Sequence, residues 1–277
     1  MNERGILARA GKMLATGGIE GSARDARKLY EYAYQTGALT PEPQTRDTPN
    51  QTTSDTFKTA LAERLKHSPV SQIIGKRSFW KHDFIVTPDV LDPRPETELL
   101  VELALQGPFD RVLDLGTGSG CILISLLAER PTARGVGTDI SEAAVLVAGE
   151  NAAAIGVADR LILPLSEWFD DIGGRYDLIV SNPPYIALDE MPDLAPEVRD
   201  HEPRMALTDE GDGLDAYRAI AAKLCCHLSP GGRVLVEIGP TQGRAVSAML
   251  GAAGLKNIAI HPDLDGRDRV VSALSPQ

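Results

Sequence analysis

The tetrapeptide Asn182-Pro183-Pro184-Tyr185 follows an apolar run, YDLIV, and its residue types fit one particular chemical step. A planar amino group bonded to an sp2 carbon is a poor nucleophile because its lone pair is delocalised. The side-chain oxygen of Asn182 and the backbone carbonyl of Pro183 can accept both N–H bonds of such a group and stabilise the positive charge that develops on the nitrogen. The prolines stiffen the loop, and Tyr185 offers a ring on which a flat group can stack.

We therefore predict that Asn182 and Pro183 are catalytic and that residues 182–185 contact a substrate. The alternative interpretation is that an Asn-Pro-Pro turn is only a rigid connector. Its position favours chemistry, because it follows the fourth strand of a predicted parallel sheet, and such sheets bind ligands at the carboxyl ends of their strands.

A glycine-rich turn joins the apolar strand RVLDL to a helix that begins near Cys121. Glycines there allow a tight turn and close backbone approach to a ligand, beside unpaired N–H groups of the helix. The GxGxG spacing argues against a dinucleotide, whose pyrophosphate needs the longer GxGxxG. We predict that all five residues of the turn contact a cofactor: Gly116, Thr117, Gly118, Ser119 and Gly120.

Two residues after later strands extend this cofactor site. Asp139 ends the second strand, where a carboxylate can accept both hydroxyl groups of a ribose, and Trp168 follows the third, where its ring can form an apolar wall for an adenine. The alternatives are that the glycines only serve a turn, that Asp139 or Ser141 caps the next helix, and that Trp168 is a core or rim aromatic.

The elements that position these residues alternate between strand and helix, which is the pattern of a doubly wound parallel sheet. Seven strands, with one antiparallel member, are predicted at Arg111–Leu115, Gly135–Asp139, Arg160–Pro164, Tyr176–Ser181, Arg233–Ile238, Lys256–His261 and Arg269–Ala273. Helices are predicted at Glu96–Gln106, Cys121–Glu129, Glu142–Ile155, Leu214–Leu228 and Gly243–Ala253.

The first 85 residues have a different pattern and predict a small helical domain, with residues 86–277 as the catalytic domain. Helical spacing covers the first 40 residues, most clearly at Ala23–Tyr34, and returns at Phe57–His67. Between them, Thr40–Ser54 is rich in Pro, Thr, Asn and Gln and predicts an exposed loop. Val70–Phe84 predicts a turn that leads into a hairpin.

Composition and charge exclude several classes of protein. The chain has 277 residues, 43% of them hydrophobic, and no apolar stretch of the length that a membrane span or signal peptide needs. Three cysteines and five scattered histidines predict neither a disulfide framework nor a metal site, and we expect a cytoplasmic protein. Residues 1–90 carry 13 Lys/Arg and 10 Asp/Glu, whereas residues 91–277 carry 15 and 29, a net charge of −14. A segment with this negative charge is poorly suited to bind the phosphates of a nucleic acid.

Eight segments resemble, in order, the HemK/PrmC family over nearly the whole chain. They are QIIGKRSFW (Gln72–Trp80), LDPRPETE (Leu91–Glu98), DLGTGSG, TDIS, SEWF, SNPPYI, HEPRMAL (His201–Leu207) and LSPGGRVLVEIG (Leu228–Gly239). NPPY alone is shared with adenine methylases, whereas PRPETE and EPRMAL are much more particular to this family. Asp92 and His201 depart from it, because the family has an apolar residue and an aromatic residue there.

The resemblance implies a class I S-adenosylmethionine-dependent methyltransferase with a Rossmann-like seven-stranded sheet. Its implied reaction is methylation of the side-chain amide of the glutamine in the Gly-Gly-Gln motif of peptide chain release factors. S-adenosyl-L-methionine is the implied cofactor, with contacts at Gly116–Gly120, Asp139, Trp168 and Asn182, and substrate contacts lie at 182–185. The helical domain is implied to dock the release factor. We expect a monomer that binds neither nucleic acid nor membrane.

Other functions remain open at this point. A DNA adenine methyltransferase would use the same chemistry, but no basic groove or target-recognition domain is visible in the sequence. A non-catalytic release-factor or ribosome-binding module and an NAD-linked oxidoreductase fit the motifs less well. Arg94 and Glu96 can border the site or serve an ion pair and a helix cap. The segment 186–215 holds ten acidic residues, and we hypothesise that it attracts the basic surface of a release factor, with a steep loss of rate in salt.

Overall fold

The computed structural model describes residues 2–277, which form two compact units: residues 2–75 with 195–201, and residues 76–194 with 202–277. The first unit is helical, and within the described residues its helices are α1 (Glu3–Thr16), α2 (Ser22–Gly37), α3 (Gln51–Arg64), α4 (Val70–Ile74) and α8 (Pro196–Arg199). Its core contains Leu14, Leu29 and Tyr30, and the Tyr30 ring meets Phe57 edge-on with centroids 5.1 Å apart.

Helix α3 begins inside the predicted loop Thr40–Ser54. Asn50 is the reason, because its side-chain Oδ1 accepts a hydrogen bond from the backbone N–H of Thr53 at 2.9 Å and so caps the helix. The helix then ends at Arg64, three residues before the predicted end at His67. The prediction of an uninterrupted loop over Thr40–Ser54 is therefore wrong at its C-terminal end.

The second unit is built on a seven-stranded sheet and a separate two-stranded hairpin. Within residues 76–277 the strands are β1 (Lys76–Phe79), β2 (His82–Ile85), β3 (Arg111–Leu115), β4 (Arg134–Thr138), β5 (Leu161–Ile162), β6 (Tyr176–Ser181), β7 (Leu228–Glu237), β8 (Lys256–Pro262) and β9 (Asp268–Leu274). The order in the large sheet is β5-β4-β3-β6-β7-β9-β8. Strand β9 runs antiparallel to both neighbours and the other pairs are parallel, which confirms the predicted fold class.

Helices cover both faces of this sheet. They are α5 (Glu98–Leu105), α6 (Cys121–Glu129), α7 (Glu142–Ile155), α9 (Asp215–His227) and α10 (Gly243–Ala252), and a 3-10 turn at Pro95–Thr97 precedes α5. Successive residues of a strand point to opposite faces, so Leu178 and Val180 of β6 join the core beneath α5 and α6. Ile179 joins the opposite core, beneath α9 and α10. The strands are therefore buried by helices on both faces of the sheet.

The hairpin β1–β2 lies in the second unit, whereas the predicted domain ranges, 1–85 and 86–277, assigned it to the first. Phe79 and Phe84 are 1% and 0% exposed and belong to the core beneath the sheet helices. Asn151 of α7 fixes the hairpin: its Oδ1 accepts from the Ile85 N–H at 2.7 Å, and its Nδ2 donates to the Ile85 carbonyl at 3.0 Å. Within residues 2–277, none of the helices has the length and hydropathy that a membrane span requires.

Candidate active site

The chain order of the strands reverses between β3 and β6, and a pocket opens at that point. Strand β3 is followed by β4 on one side, whereas β6 returns to pair with β3 on the other. Such a switch point leaves a crevice outside the carboxyl ends of the strands, where doubly wound folds bind ligands. The pocket has a volume of about 190 Å³. Predicted site residues in its wall are Gly116, Thr117, Gly118, Ser119, Asp139, Trp168, Asn182 and Pro184.

The glycine turn after β3 brings backbone to the pocket without a side chain in the way. Gly116 and Gly118 have φ values of 70° and 54°, which glycine adopts at no steric cost. A Cβ atom at Gly118 would meet no protein atom within 4 Å, so the space beside it belongs to the pocket. The turn is fixed from the next strand by a hydrogen bond from the Thr117 N–H to the Thr138 carbonyl at 2.8 Å.

Gly120 serves the fold rather than the pocket wall. It precedes α6 with a φ of 79°, and a Cβ atom there would lie 2.6 Å from Cδ1 of Ile124 and 3.3 Å from the Cβ of Ala148. The glycine therefore lets α6 and α7 approach each other closely. It is the residue of the predicted cofactor turn that does not line the pocket.

Asp139 faces the pocket with a carboxylate that the backbone holds in place. Its Oδ2 accepts from the Gly118 N–H and its Oδ1 from the Ser141 N–H, both at 2.9 Å. Burial raises the pKa of Asp139, and these backbone hydrogen bonds act in the opposite direction. The Ser141 hydroxyl accepts from the Ala144 N–H at 3.2 Å and caps α7, so Asp139 is not needed as the cap.

Trp168 lies across the glycine turn. A Cβ atom at Gly116 would come within 3.8 Å of Cζ3 of the indole, and the half-buried ring forms part of the pocket wall. The residue has a φ of 51°, which is uncommon for a bulky side chain. The Thr138 hydroxyl holds its backbone by donating to the Trp168 carbonyl at 3.2 Å.

Asn182 lies in the pocket wall directly after β6. Its Nδ2 donates to the Thr97 hydroxyl oxygen at 3.3 Å, and its Oδ1 is buried and has no hydrogen-bond partner within the described residues. An unsatisfied buried carbonyl oxygen is costly, so this atom is suited to accept a hydrogen bond from a ligand.

The rest of the tetrapeptide is divided between the pocket and the protein interior. Pro184 lines the pocket, whereas Pro183 is buried and Tyr185 does not reach the pocket wall. The Tyr185 ring packs against the core beneath α9 and α10, and its carbonyl accepts from Nε2 of Gln242 at 2.8 Å. Burial raises the pKa of the Tyr185 phenol to about 12. Through these contacts Tyr185 anchors the loop to the protein core.

The segment before α5 contributes an ion pair to the rim of the pocket. Nη2 of Arg94, a pocket-lining residue, donates to both carboxylate oxygens of Glu202 at 2.7 Å. Glu96 is exposed in the 3-10 turn and lies outside the pocket wall. Asp92, one of the two departures from the family pattern, is buried and lies 3.7 Å from Arg77. Arg94 therefore both borders the site and forms a structural ion pair.

Sequence reasoning missed three buried polar residues around the site. Asp114 of β3 accepts from the Thr117 hydroxyl at 2.8 Å, and complete burial raises its pKa to about 7. Thr97 contacts Asn182, and Glu237 at the end of β7 is 1% exposed with a pKa that burial raises to about 7. An acid among the last two residues of a buried strand is the signal that could have identified Asp114 and Glu237, since burial of an unpaired charge is unfavourable.

The geometry suits transfer to a nitrogen that is held in a fixed direction. The glycine turn, Asp139 and Trp168 supply backbone N–H groups, a carboxylate and an aromatic ring to the pocket wall. Asn182 supplies a buried acceptor to the same wall. None of these groups is an acid–base pair of the kind that hydride transfer or hydrolysis uses, whereas holding an amino nitrogen by hydrogen bonds requires only acceptors.

The known proteins to which this chain is similar are methyltransferases. The family model described as "Methyltransferase small domain" matches residues 79–211. A protein of Cereibacter sphaeroides named release factor glutamine methyltransferase is 56% identical over 279 residues, which cover 100% of this chain and 99% of the relative. A Rhodospirillum rubrum protein of the same name is 42% identical over 273 residues, 97% of this chain and 83% of the relative.

Among solved structures, a methyltransferase from Pyrococcus furiosus has a similar fold. Its TM-score is 0.57 at 15% sequence identity, and the match covers 80% of this chain and 100% of that chain. At this identity the likeness concerns the fold alone.

Proposed function

Since this chain belongs to the family of release factor glutamine methyltransferases, we propose that it methylates the side-chain amide of the glutamine in the Gly-Gly-Gln motif of peptide chain release factors. The methyl donor in this proposal is S-adenosyl-L-methionine. The observation that carries the proposal is the buried Oδ1 of Asn182 in the wall of the pocket, an acceptor with no hydrogen-bond partner among residues 2–277.

The residues of the pocket fit the proposed donor. Gly116 and Gly118 leave open space where side chains would stand, Asp139 offers a carboxylate to ribose hydroxyls, and Trp168 offers a ring to an adenine. When bound, S-adenosyl-L-methionine supplies an electrophilic methyl group carried by a sulfonium sulfur. These residues would hold it, and their backbone positions are fixed before it binds, because Gly118 and Ser141 already hydrogen-bond Asp139.

Asn182 and Pro183 act on the substrate in this proposal. The Asn182 Oδ1 accepts one N–H bond of the glutamine amide, and the Pro183 carbonyl is the second acceptor that the proposal requires. Two such acceptors orient the amide nitrogen and favour the geometry in which its lone pair is available. No general base is needed before transfer, because the proton leaves after the nitrogen has become positively charged.

A DNA adenine would be an equally flat amine, and charge argues against it. Residues 91–277 hold 29 acidic residues against 15 basic ones, a net of −14, so the part of the chain that carries the pocket repels phosphates. The relatives at 56% and 42% identity are both named for a release factor glutamine. We therefore favour the protein substrate.

The test offers a purified release factor and isotope-labelled S-adenosyl-L-methionine to the wild type and to Asn182→Ala. We expect label on the glutamine of the Gly-Gly-Gln motif with the wild type. We expect kcat/KM to fall by about 10²–10³-fold or more in the variant, since one preorganised charge-stabilising group is removed. Binding of S-adenosylhomocysteine, measured by calorimetry, is expected to weaken much less.

Asn257→Gly is the matched control for this variant. Asn257 is exposed in β8, and its φ of 52° suits glycine, so this substitution removes an asparagine without touching the pocket. Label on DNA instead of the release factor, or undiminished turnover by Asn182→Ala, would overturn the proposed function.

A further inference from the structure

Asp92 lies in the wall of the pocket with a buried carboxylate that the protein leaves incompletely satisfied. Its side chain is 6% exposed, and Oδ1 has no hydrogen-bond partner within residues 2–277. Oδ2 lies 3.7 Å from Nη1 of Arg77, which is beyond the distance of a good hydrogen bond. A carboxylate that is buried in this way is unfavourable unless a donor, and preferably a cation, completes its contacts.

One other residue of the pocket wall shares this property. Among the described residues, six buried side-chain atoms have no hydrogen-bond partner, and two of them, Oδ1 of Asp92 and Oδ1 of Asn182, belong to residues that line the pocket. The proposed function gives the Asn182 oxygen a partner in the substrate amide. Asp92 has no such partner in it, although a charged carboxylate loses more solvation on burial than a neutral amide does.

The segment that carries Asp92 connects the two ends of the proposed site. Val90 belongs to one apolar cluster with Val147 of α7, the helix that follows the proposed ribose site. Thr97, further along the segment, accepts a hydrogen bond from Nδ2 of Asn182 at 3.3 Å. Along the chain, Asp92 therefore lies between the residues proposed for the ribose and the residue proposed for the reacting amide.

The groups that the pocket is proposed to hold differ in what they can offer a buried carboxylate. The sulfonium group of the methyl donor is a cation, but it has no N–H or O–H bond. The ribose hydroxyls and the glutamine amide are neutral, and the proposed function assigns them to Asp139, Asn182 and Pro183. The α-ammonium group of the methionine part combines a full positive charge with N–H donors, as a lysine ammonium group does. It is therefore the group that best completes Asp92.

We propose that Asp92 binds the α-ammonium group of the methyl donor through Oδ1. This inference rests on the proposed function, because it takes S-adenosyl-L-methionine as the ligand of the pocket. A hydrogen bond between an ammonium group and a carboxylate is about twice as strong as one between neutral groups. The resemblance to the family does not imply this contact, since the family pattern has an apolar residue at the position of Asp92.

The test measures affinities by calorimetry in a two-by-two design. The wild type and Asp92→Asn, which keeps the shape of the side chain but removes its charge, are each titrated with S-adenosylhomocysteine and with its deamino analogue, in which hydrogen replaces the α-ammonium group. We expect the affinity for S-adenosylhomocysteine to fall by about 10–100-fold in the variant, the equivalent of one hydrogen bond to a charged group. For the deamino analogue we expect no loss of affinity, because it offers Asp92 no cation.

Asp110→Asn is the matched control for the loss of one negative charge. Asp110 is exposed and directly precedes β3, at the end of the strand opposite to the pocket, so both affinities are expected to stay unchanged. Urea unfolding without ligand provides a second measurement. We expect Asp92→Asn to be at least as stable as the wild type, because the protein alone leaves Oδ1 without a hydrogen-bond partner among its described residues. A clear loss of stability would show that the carboxylate serves the fold through Arg77, and it would contradict the inference.

The outcomes separate this inference from the proposed function. Equal affinities of the wild type and Asp92→Asn for S-adenosylhomocysteine, or equal losses with both ligands, would overturn the contact between Asp92 and the ammonium group. A higher KM for the release factor with unchanged affinity for S-adenosylhomocysteine would assign Asp92 to the substrate and would also overturn it. In each case, methylation of the release factor by the wild type would leave the proposed function intact.

The converse result is equally informative. A wild type that binds S-adenosylhomocysteine but does not methylate the release factor would refute the proposed substrate, and the titrations would still decide the role of Asp92. A wild type that does not bind S-adenosylhomocysteine would refute both proposals. Loss of affinity in Asp92→Asn that is confined to the ligand with the ammonium group would support the inference.

Discussion

Gly118 is the position in the glycine turn where a side chain would meet ligand space and not protein. Its φ is 54°, and a Cβ atom there would have no protein atom within 4 Å. We expect Gly118→Ala to lower the free energy of unfolding by about 1–2 kcal/mol, the cost of a left-handed conformation with a Cβ atom. We also expect it to weaken binding of S-adenosylhomocysteine by about tenfold or more, because the methyl group occupies part of the pocket.

Gly156→Ala is the matched control, because it separates backbone strain from loss of ligand space. Gly156 ends α7 with a φ of 83°, a Cβ atom there would also meet nothing within 4 Å, and the residue does not line the pocket. Both variants should lose similar stability in urea unfolding, and only Gly118→Ala should lose affinity in calorimetry. Equal affinities would mean that the space beside Gly118 is not where the ligand binds.

Asp114 makes the free energy of unfolding depend on pH. Burial raises its pKa from 3.8 to about 7, with the nearby Asp139 adding to the rise and the Thr117 hydroxyl opposing it. The folded state therefore holds this proton more tightly than the unfolded state, so the contribution of Asp114 to stability is full below about pH 4 and is lost as the pH rises toward 7. At three pKa units the loss is at most about 4 kcal/mol.

Asp114→Asn removes this titration because an amide cannot ionise. We expect the stability of the variant to rise relative to that of the wild type as the pH increases from about 4 to about 7 in urea unfolding. Asp159→Asn, which changes an exposed carboxylate in the 3-10 turn before β5, is the control and should follow the wild type. A constant difference between Asp114→Asn and the wild type would contradict the raised pKa.

At the scale of elements, Asn151 joins the hairpin to the glycine turn. Its Nδ2 donates to the Ser119 carbonyl at 2.9 Å in addition to its two hydrogen bonds with the backbone of Ile85, and its side chain is fully buried. Asn151→Leu keeps the number of side-chain heavy atoms but takes the Asn151 hydrogen bond from three backbone groups, of which the Ser119 carbonyl is buried. We expect the free energy of unfolding to fall by about 3 kcal/mol or more, with weaker binding of S-adenosylhomocysteine.

The neighbouring Glu150→Ala serves as the control for Asn151→Leu. Glu150 is exposed on the same helix, so its replacement should change stability in urea by less than about 0.5 kcal/mol. If Asn151→Leu lost stability but kept full affinity for S-adenosylhomocysteine, the side chain would support the hairpin alone. The glycine turn would then be held by its other contacts.

The elements were predictable where local patterns decide the structure. Strands β3 and β6 and helices α6 and α7 have the predicted bounds, since apolar runs, glycine turns and the Ser141 cap mark their ends. The start of α3 was missed, because its Asn50 cap stands in a polar segment without apolar spacing. The family resemblance is confirmed by the relatives.

The candidate site was predictable only in part, for a similar reason. Motif residues that follow strands were placed at the sheet edge by topology, and most of them line the pocket. The position of Tyr185 and the contact of Thr97 with Asn182 depend on packing between residues 57 and 85 positions apart, which no local pattern encodes. Such contacts can be identified only in the folded structure.

For the whole molecule, the structure changes the meaning of the acidic segment 186–215. The sequence alone predicts that the ten carboxylates of this segment are unpaired and attract a basic partner. Six of the ten form ion pairs in the structure: Glu197 with Arg64, Asp200 with Arg199, Glu202 with Arg94, Glu210 with Arg204, and Asp212 and Asp215 with Arg218. A paired carboxylate contributes little to the field at a distance. The net charge of −11 nevertheless remains, and it acts against polyanions.

We therefore expect the protein to discriminate strongly between a release factor and DNA, with a modest dependence on salt. Between about 50 and about 200 mM salt, a protein with many phosphate contacts loses about 10³–10⁵ in affinity for DNA. For this chain we expect no saturable binding of duplex DNA at the lower salt concentration in fluorescence anisotropy. For the release factor we expect kcat/KM to fall by less than about tenfold over the same range, because local ion pairs already neutralise much of the acidic segment.

A DNA adenine methyltransferase in the same anisotropy assay is the positive control. Saturable DNA binding that steepens at low salt would contradict the charge argument, and a hundredfold loss of kcat/KM in salt would show that the segment acts as a free acidic surface after all.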